Sequence, residues 1–558
     1  MRVAAGLALL ACTTPLLAAT RYVSPTGSDS ASGTATAPWK TIQHGADSLT
    51  PGDTLLLRAG IYREKVELRR GGAANAPITF SAVPGARVVI SGANRLRDWK
   101  KSVEADPIYE HDWPYRFPIG GPNDLTHPGD LEHRLTGRAE QVIHGGRLMR
   151  QVLARGQLAP GTFYADLDGK KLFVWLRGSD DPNNTEMEAS VHSTWLTASP
   201  SVSFVTIRGI TFRHAANHAQ RGAFAIGAGA TGWRVEDCVF ERANGPGASL
   251  TGRRHLFLRC QFRDNGQLGF GTSRCDDTRI VACGIYRNNA KGYSTGWEAG
   301  GLKVTMSRRF VFDRCRAVDN RGVGIWFDIG NEQCEVKDCY IADNDEAGIF
   351  YEISYGLHAH DNLIVNNANN GESPGGAWGS AGITLSSSED CVIERNTLVS
   401  NRCGIALREQ ERTTPRIDAR HGAPEVRIYN RNHVIRDNII AYSQDHNIGF
   451  WMDTRFFGPH PGGGDRNTPP SEDPKTLHIQ LANNLLWPLA GRPNYLYGVP
   501  WRPKSRELAD PADFTAWSGI SDTSRTADPR FADVLASDFR PLPDSPAVRM
   551  GAGRRITR

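Results

Sequence analysis

Residues 326–352 read WFDIGNEQCEVKDCYIADNDEAGIFYE, and the motif that enters this stretch returns at its end. Gly-Ile-Trp-Phe-Asp (Gly324 to Asp328) opens it, and Gly-Ile-Phe-Tyr-Glu (Gly348 to Glu352) closes it. Each segment ends in a carboxylate, and the two acids are 24 residues apart. An acid that returns once per repeat asks for a repeating fold.

Outward from this stretch the repeat continues in both directions. Segments such as VEDCVFERAN (235–244), FLRCQFRDN (257–265), FDRCRAVDN (312–320) and IERNTLVSN (393–401) share one pattern: Cys or Asn, an apolar residue two places on, and Asn five or six places on. One ladder runs Cys238, Cys260, Cys283, Cys315, Cys339, Asn362, Asn396, Asn438, in steps of 22, 23, 32, 24, 23, 34 and 42 residues. A second runs Asn244, Asn265, Asn288, Asn320, Asn344, Asn367, Asn401. A period near 23, built of short alternating strands and Gly- and Asn-rich turns, predicts a parallel β-helix. A coil of this kind cannot bury its apolar face alone, so coils stack and equivalent residues lie about 4.8 Å apart. Five cysteines on one ladder position read as small buried residues; disulfides between stacked coils are the alternative. Cys275, Cys334 and Cys403 fall off that ladder. The longer steps place loops at about 284–297, 366–380 and 411–431, beside the central strands, where they would wall a groove.

The 558 residues are too many for one ordinary compact core, which suits an elongated repeat. Lys and Arg number 65 against 60 Asp and Glu, a net charge of +5 spread along the chain. With no Lys/Arg-rich run, nucleic-acid binding is not expected. MRVAAGLALLACTTPLLAAT reads as a secretory signal peptide cut near Ala19, with a lipoprotein site at Cys12 as the alternative. No later run suits a membrane span. A secreted or periplasmic protein is expected. The layout read from the sequence is a signal peptide over 1–19, opening coils and cap over 20–95, an inserted subdomain over 96–195, the main β-helix over 196–485, and a C-terminal cap over 486–558. Within the insertion, GTFYADLDGKKLFVWL reads as a hairpin. Gly227 to Gly232 matches the G-x-G-x-x-G dinucleotide fingerprint, but a strand of the repeat follows it where a helix is required. No cofactor is expected.

Alternation along Gly-Ile-Trp-Phe-Asp turns Ile325 and Phe327 inward and Trp326 and Asp328 outward. Carried across the coils, the outward column is expected to hold Ser273, Lys303, Asp328, Glu352, Ser386, Arg408 and Asp453, with Trp326, Phe350 and Trp451 two residues earlier on their strands. A column of charges is ordinarily solvated surface. Two like charges stacked at one strand spacing, however, destabilise a sheet, and large aromatics stand beside them. Two acids with a flanking cation form an arrangement that perturbs pKa values. Adjacent coils would bring two carboxyls near the roughly 5–5.5 Å that a retaining glycosidase uses, one attacking the anomeric carbon and one serving as acid and base. Trp326, Phe350 and Trp451 would offer apolar faces to sugar rings, while Lys303 and Arg408 hold hydroxyls or a carboxylate. Glu298 is a candidate third acid or simply a partner of a nearby cation. The pair Gly300-Gly301 would let a ligand approach the backbone.

These ladders resemble those of secreted right-handed parallel β-helix proteins of the pectin-lyase-like fold. More specifically, Trp-x-Asp followed some two dozen residues on by an outward Glu in Tyr-Glu-Ile-Ser (Tyr351 to Ser354) is similar to the β-xylosidases of glycoside hydrolase family 120. That resemblance implies Asp328 as nucleophile and Glu352 as acid/base, acting on a poly- or oligosaccharide. The competing reading is a polysaccharide lyase or uronate epimerase, with Lys303 as base and Ca²⁺ or Arg neutralising a uronate. A non-catalytic carbohydrate-binding surface protein is a third. The insertion and loops suggest a walled pocket and cleavage of chain ends or short oligomers.

Overall fold

The computed structural model describes residues 18–103, 106–117, 130, 133–369, 379–414, 425–452, 473–499 and 505–554. The leader expected over 1–19, Cys12 included, therefore lies almost wholly outside the described residues, as do parts of the loops expected at 366–380 and 411–431.

Three sheets of 13 strands each run the length of the molecule, and nearly all their neighbours pair in parallel. The chain visits the three in rotation, which is the parallel β-helix expected from the period. Strands are short because each face of the coil is only a few residues wide: Glu335–Lys337, Tyr340–Ala342 and Ile349–Glu352 are successive visits to the three sheets. The sheet carrying Gly300–Thr305, Ile325–Asp328, Ile349–Glu352, Ile383–Ser386, Cys403–Arg408 and His446–Trp451 is called the site sheet below.

Inward residues stack on their counterparts one coil away. Phe212, Phe240 and Phe262 lie nearly parallel, with centroids 5.1 and 4.8 Å apart. Each such contact is worth about 0.5–1.5 kcal/mol beyond the area it buries. At the turns, buried asparagines hold coil to coil. Asn320 Nδ2 donates to Asn344 Oδ1 at 2.8 Å, Asn344 to Asn367 at 2.8 Å and Asn367 to Asn401 at 2.9 Å. A parallel ladder joins Asn362, Asn396, Asn438 and Asn484. These bonds satisfy polar groups that burial would otherwise leave without partners.

The ladder explains the recurrent glycine. A Cβ on Gly324 would lie 2.8 Å from both Asn344 Nδ2 and Gly348 O, and one on Gly348 would lie 2.8 Å from Gly382 O. The side-chain amide occupies the space a larger residue would need. Gly301 follows the same rule, its Cβ position lying 2.2 Å from Gly324 O, so packing between coils accounts for this glycine and ligand access is not needed to explain it.

All nine cysteines among the described residues are free and buried. Those on the ladder stack as expected, with Cys260 N donating to Cys283 Sγ and Cys315 N to Cys339 Sγ, both at 3.3 Å. The disulfide alternative does not hold. Asn244 does not belong to the second ladder: Ala243 N donates to Asn265 Oδ1, so Ala243 occupies that level, and Asn244 Nδ2 donates to Asn217 O instead. Cys275 opens a third ladder at another turn, with Cys275 N on Ser307 Oγ, Ser307 N on Asn331 Oδ1 and Asn331 N on Ser354 Oγ.

Residues 93–190 leave the coil pattern and form a four-stranded and a five-stranded sheet. Thr162–Asp166 and Lys171–Trp175 make the antiparallel hairpin expected there. The coils resume at Leu196–Ala198, which pairs with Val66–Leu68. At the far end the sheets run further than the sequence period suggests, through Leu485–Trp487 and Tyr495–Tyr497. Phe514 of the helix Pro511–Ser518 then stacks on Tyr495 at 4.6 Å and Phe450 at 5.2 Å, covering the last coil. Gly227 to Gly232 forms a turn leading into the strand Arg234–Glu236, with no helix after it.

Candidate active site

Register places the two acids side by side. Ile325, Trp326 and Phe327 pair with Ile349, Phe350 and Tyr351, so Asp328 and Glu352 continue the same alignment one coil apart. Glu352 in turn pairs with Ser386, and Ser386 with Arg408. Ser273 aligns with Thr305 and Thr305 with Asp328, so Ser273 stands in the expected column.

Two register assignments made from the sequence are corrected. Lys303 pairs with Trp326, and Thr305 takes the place beside Asp328. Trp451, not Asp453, pairs with Arg408; Asp453 lies outside the described residues. In the second case a glycine set the wrong register, whereas in the first the equal count of four from Gly301 gives Thr305, two places beyond Lys303. Gly301, not its neighbour Gly300, occupies the ladder level, and Gly449 pairs with Ala406, two places beyond that level.

Lys303 still reaches the acid from the neighbouring position. Its Nζ lies 2.8 Å from Asp328 Oδ2 and 2.8 Å from Glu298 Oε1. It also sits 4.2 Å above the Trp326 ring. Glu298 is thus a partner of Lys303 and part of the same constellation; it is held in the left-handed region, φ 57°, at the end of the turn Thr295–Trp297. Trp297 packs beside Tyr293, centroids 6.1 Å apart.

Asp328 and Glu352 are held differently. Asp328 Oδ1 is buried and has no hydrogen-bond partner among the described residues, while Oδ2 carries the bond to Lys303. Both oxygens of Glu352 are engaged: Oε1 lies 3.1 Å from Arg412 Nη1, and Oε2 accepts from Trp326 Nε1 at 3.3 Å. Burial raises the Glu352 pKa, and the charge of Asp328 raises it further against the opposing pull of Arg408, Arg412 and Lys303. Burial alone would lower the Lys303 pKa, but the charges of Asp328 and Glu298 overcome it and the net shift is upward. Burial lowers that of Arg408 despite the favourable charges of Glu352 and Glu346.

The column is not solvated surface. Asp328 is 5% exposed, Glu352 6% and Lys303 6%. The more open members are Glu298 and Arg412, whose side chains are 38% and 37% exposed.

The aromatics are not open platforms. Trp326 and Phe350 stack on each other, centroids 5.6 Å apart, with Lys303 over one ring and Arg408 4.8 Å from the other. Direct register pairing brings the two rings together, and their faces are spent on each other and on cations. Trp451 is buried beside Ala381, Cys403, Ala406 and Leu496. Trp326 and Phe350 stand on the same strands as the two acids. A cavity of about 50 Å³ adjoins them, lined by Phe350, Arg408, Glu346 and Gly379. A larger cavity, about 650 Å³, lies between Arg95–Asp98 and Pro182–Met187 and touches none of the paired acids.

Arg412 was not foreseen, because it lies on an aperiodic connection 60 residues from Glu352 in the chain. The connection is anchored from below by Glu409, wholly buried, which accepts from Asn430 N at 2.8 Å and faces Arg427 Nη2 at 3.4 Å. Burial pushes the Glu409 pKa up to about 8. The other wall is fastened by the insertion. Asp130 Oδ2 accepts from Ser294 N at 2.6 Å, Tyr293 Oη donates to Thr136 O at 3.2 Å, and Lys291 Nζ bonds Arg138 O and Asn244 Oδ1. Residues 291–294, just ahead of Glu298, are thereby tied down. The described residues that cluster ligand atoms as a metal site would, Glu335, His358 and His360, stand on another sheet and not at the acids.

Residues 222–374 match the family model described as a right-handed β-helix region, and residues 332–455 match one described as periplasmic copper-binding protein (NosD). Over 79 residues, 14% of this chain and 19% of its own length, pectate lyase PEL9 of Emericella nidulans is 43% identical. Uncharacterized protein YwoF of Bacillus subtilis is 39% identical over 71 residues, 13% of this chain and 15% of its own length. The chain thus spans under a fifth of the length of these curated relatives. The structure of XylC in complex with xylose superposes with a TM-score of 0.65 at 18% identity, covering 87% of each chain. Three parallel sheets wound in rotation, the β-helix match and this superposition make the chain a right-handed parallel β-helix protein.

Proposed function

We propose that the protein is a secreted or periplasmic glycoside hydrolase that cleaves a poly- or oligosaccharide by a retaining mechanism, with Asp328 as nucleophile and Glu352 as acid/base. The observation that carries this reading is the asymmetry between two adjacent buried carboxyls. Asp328 is ion-paired through Oδ2 to a cation and keeps Oδ1 without a partner among the described residues, as an attacking carboxylate requires. Glu352 has its pKa raised by burial and by Asp328, as a group that begins the cycle protonated requires.

Chemistry follows from that difference. Asp328 Oδ1 attacks the anomeric carbon as Glu352 protonates the departing oxygen, forming a glycosyl ester on Asp328. The proton lost leaves Glu352 anionic, where Arg412 and Arg408 steady it. Glu352 then takes a proton from water as that water opens the ester, and the starting state returns. Lys303 pairs with Asp328 Oδ2 and orients the carboxyl so that Oδ1 is left for attack. Adjacent parallel strands lie about 4.8 Å apart, close to the roughly 5–5.5 Å between carboxyls in retaining enzymes. The narrow burial supports action on chain ends or short oligomers, and the likeness to XylC, a protein solved with xylose, supports a sugar ligand. A periplasmic or extracellular setting is supported by the N-terminal run of apolar residues after Arg2.

A β-eliminating lyase is the second reading, favoured by the stretch shared with pectate lyase PEL9. The raised pKa of Lys303, held by two carboxylates, opposes its use as the base. A panel of aryl glycosides and uronate polymers separates the two. Hydrolysis with retained anomeric configuration, lost in Asp328→Asn and Glu352→Gln, supports the hydrolase. An ultraviolet-absorbing unsaturated product from a uronate polymer would replace it with the lyase.

A further inference from the structure

The site sheet is not the only face of the coil where side chains of one chemistry converge. On the sheet containing Glu335–Lys337 and His358–His360, Glu335 pairs with His358, and Lys337 with His360. His-Ala-His puts both imidazoles on the outer face, since alternate residues of a strand point the same way, while Ala359 between them is buried. The rings lie 4.2 Å apart. One ligand atom from each of Glu335, His358 and His360 falls within 4.8 Å of the others.

We propose that Glu335, His358 and His360 form a binding site for a first-row divalent cation of the zinc type, bridging two coils away from the candidate active site. Imidazole and carboxylate together are the donors such ions prefer, whereas Ca²⁺ and Mg²⁺ call for all-oxygen shells. His360 is arranged as metal-bound histidines are. Its Nδ1 lies 2.7 Å from Asp361 Oδ2, and Arg395 holds Asp361 from behind at 3.2 Å. A carboxylate on one ring nitrogen fixes the tautomer that leaves the other as a lone-pair donor. That other nitrogen, Nε2, stands 3.0 Å from Glu335 Oε1. Two donors on one zinc ion at tetrahedral angles are roughly 3.4 Å apart. This pair is therefore nearly set, and the His358 side chain, 42% exposed, has room to swing inward as the third ligand.

Neighbouring charges set the terms of binding. Lys337 Nζ contacts both oxygens of Glu335, at 3.0 and 3.1 Å, and gives way when the cation takes its place. Glu394, 3.1 Å from His358 Nε2, is already balanced by Arg395 and Arg436 and remains an outer partner.

The test is calorimetric titration of the EDTA-treated mature protein with Zn²⁺, with Ca²⁺ run in parallel. One equivalent of Zn²⁺ should bind, raising Tm, and Ca²⁺ should not compete. The double variant His358→Ala/His360→Ala should lose that equivalent and the Tm response. Asp361→Asn should weaken binding about 10–100-fold, the usual effect of losing a histidine's carboxylate partner. Circular dichroism and Tm in EDTA verify that each variant is folded. Absence of a saturable equivalent, or the same stoichiometry in a folded double variant, overturns the site.

Discussion

Two sets of charges are stacked coil upon coil in this molecule, and they differ in sign and in depth. At exposed turns, Arg259 Nε meets Asp237 at 2.7 Å, Arg287 meets Asp264 at 2.8 Å and Arg309 meets Asp277 at 2.6 Å, each across one coil. Opposite charges alternate there and the side chains are about half-exposed. On the site sheet, Asp328 and Glu352 place like charges side by side beneath covering loops, with cations arranged around them. One repeat geometry serves both. The first set is what a solvated stack of strands does with charge at little cost. The second is a local conflict that the fold tolerates only by recruiting Lys303, Arg408 and Arg412.

Removing either acid should have the largest effect of all. Glu352→Gln is expected to lower kcat by about 10²–10⁴-fold on a substrate with a poor leaving group, the usual worth of a positioned acid. Asp328→Asn should abolish turnover to at least the same degree, and initial rates on the aryl glycoside panel measure both. Structure should not be lost with activity. The folded pKa of Glu352 lies above its unfolded value, so its contribution to stability is present at low pH and fades as pH rises through the folded pKa. Glu352→Gln should therefore gain stability over the wild type as pH rises through that range, read by urea midpoints at a series of pH values.

Next comes the ladder that stacks the acids. Asn344→Ala removes the amide that bonds Asn367 and Ala317 O, and it takes the Asn344 Oδ1 acceptor from Asn320 N and from Asn320 Nδ2, which keeps only its bond to Ile285 O. An unsatisfied buried donor costs about 1–3 kcal/mol, so the urea midpoint should fall accordingly.

Arg412 gives a smaller, directional effect. Its charge lowers the Glu352 pKa, so Arg412→Ala should move the alkaline limb of kcat/KM to higher pH, since the acid then stays protonated longer. An unmoved limb would separate Arg412 from the acid. Smallest of all, Arg259→Ala at an exposed ladder should cost no more than about 1 kcal/mol and leave activity intact. A large loss there would erase the contrast between the two kinds of column.

The fold was legible because its rules are local and repeated. Cys-x-apolar and Asn at intervals near 23 residues report a buried position that every coil must fill in the same way. The acid pair was legible for the same reason, since Gly324 and Gly348 both occupy the ladder level and the count from each is equal. Lys303 was misplaced because it stands only two places after Gly301, where the equal count gives Thr305, and Trp451 because at the strand His446–Trp451 the ladder level belongs to Asn447, two residues before Gly449. Arg412 and Glu409 carried no periodic signal, because they belong to a connection set by its own contacts. That Trp326 and Phe350 would stack face to face, rather than open to a sugar, is a matter of rotamer, which spacing does not encode.

The central claim is that Asp328 and Glu352 divide the labour of one covalent cycle. The most direct measurement is trapping with a 2-deoxy-2-fluoro glycoside of the sugar that the panel identifies, followed by peptide mass mapping. The account predicts a single glycosyl adduct on Asp328, formed in the wild type and absent in Asp328→Asn. An active enzyme that forms no adduct, or carries it on another residue, would contradict it.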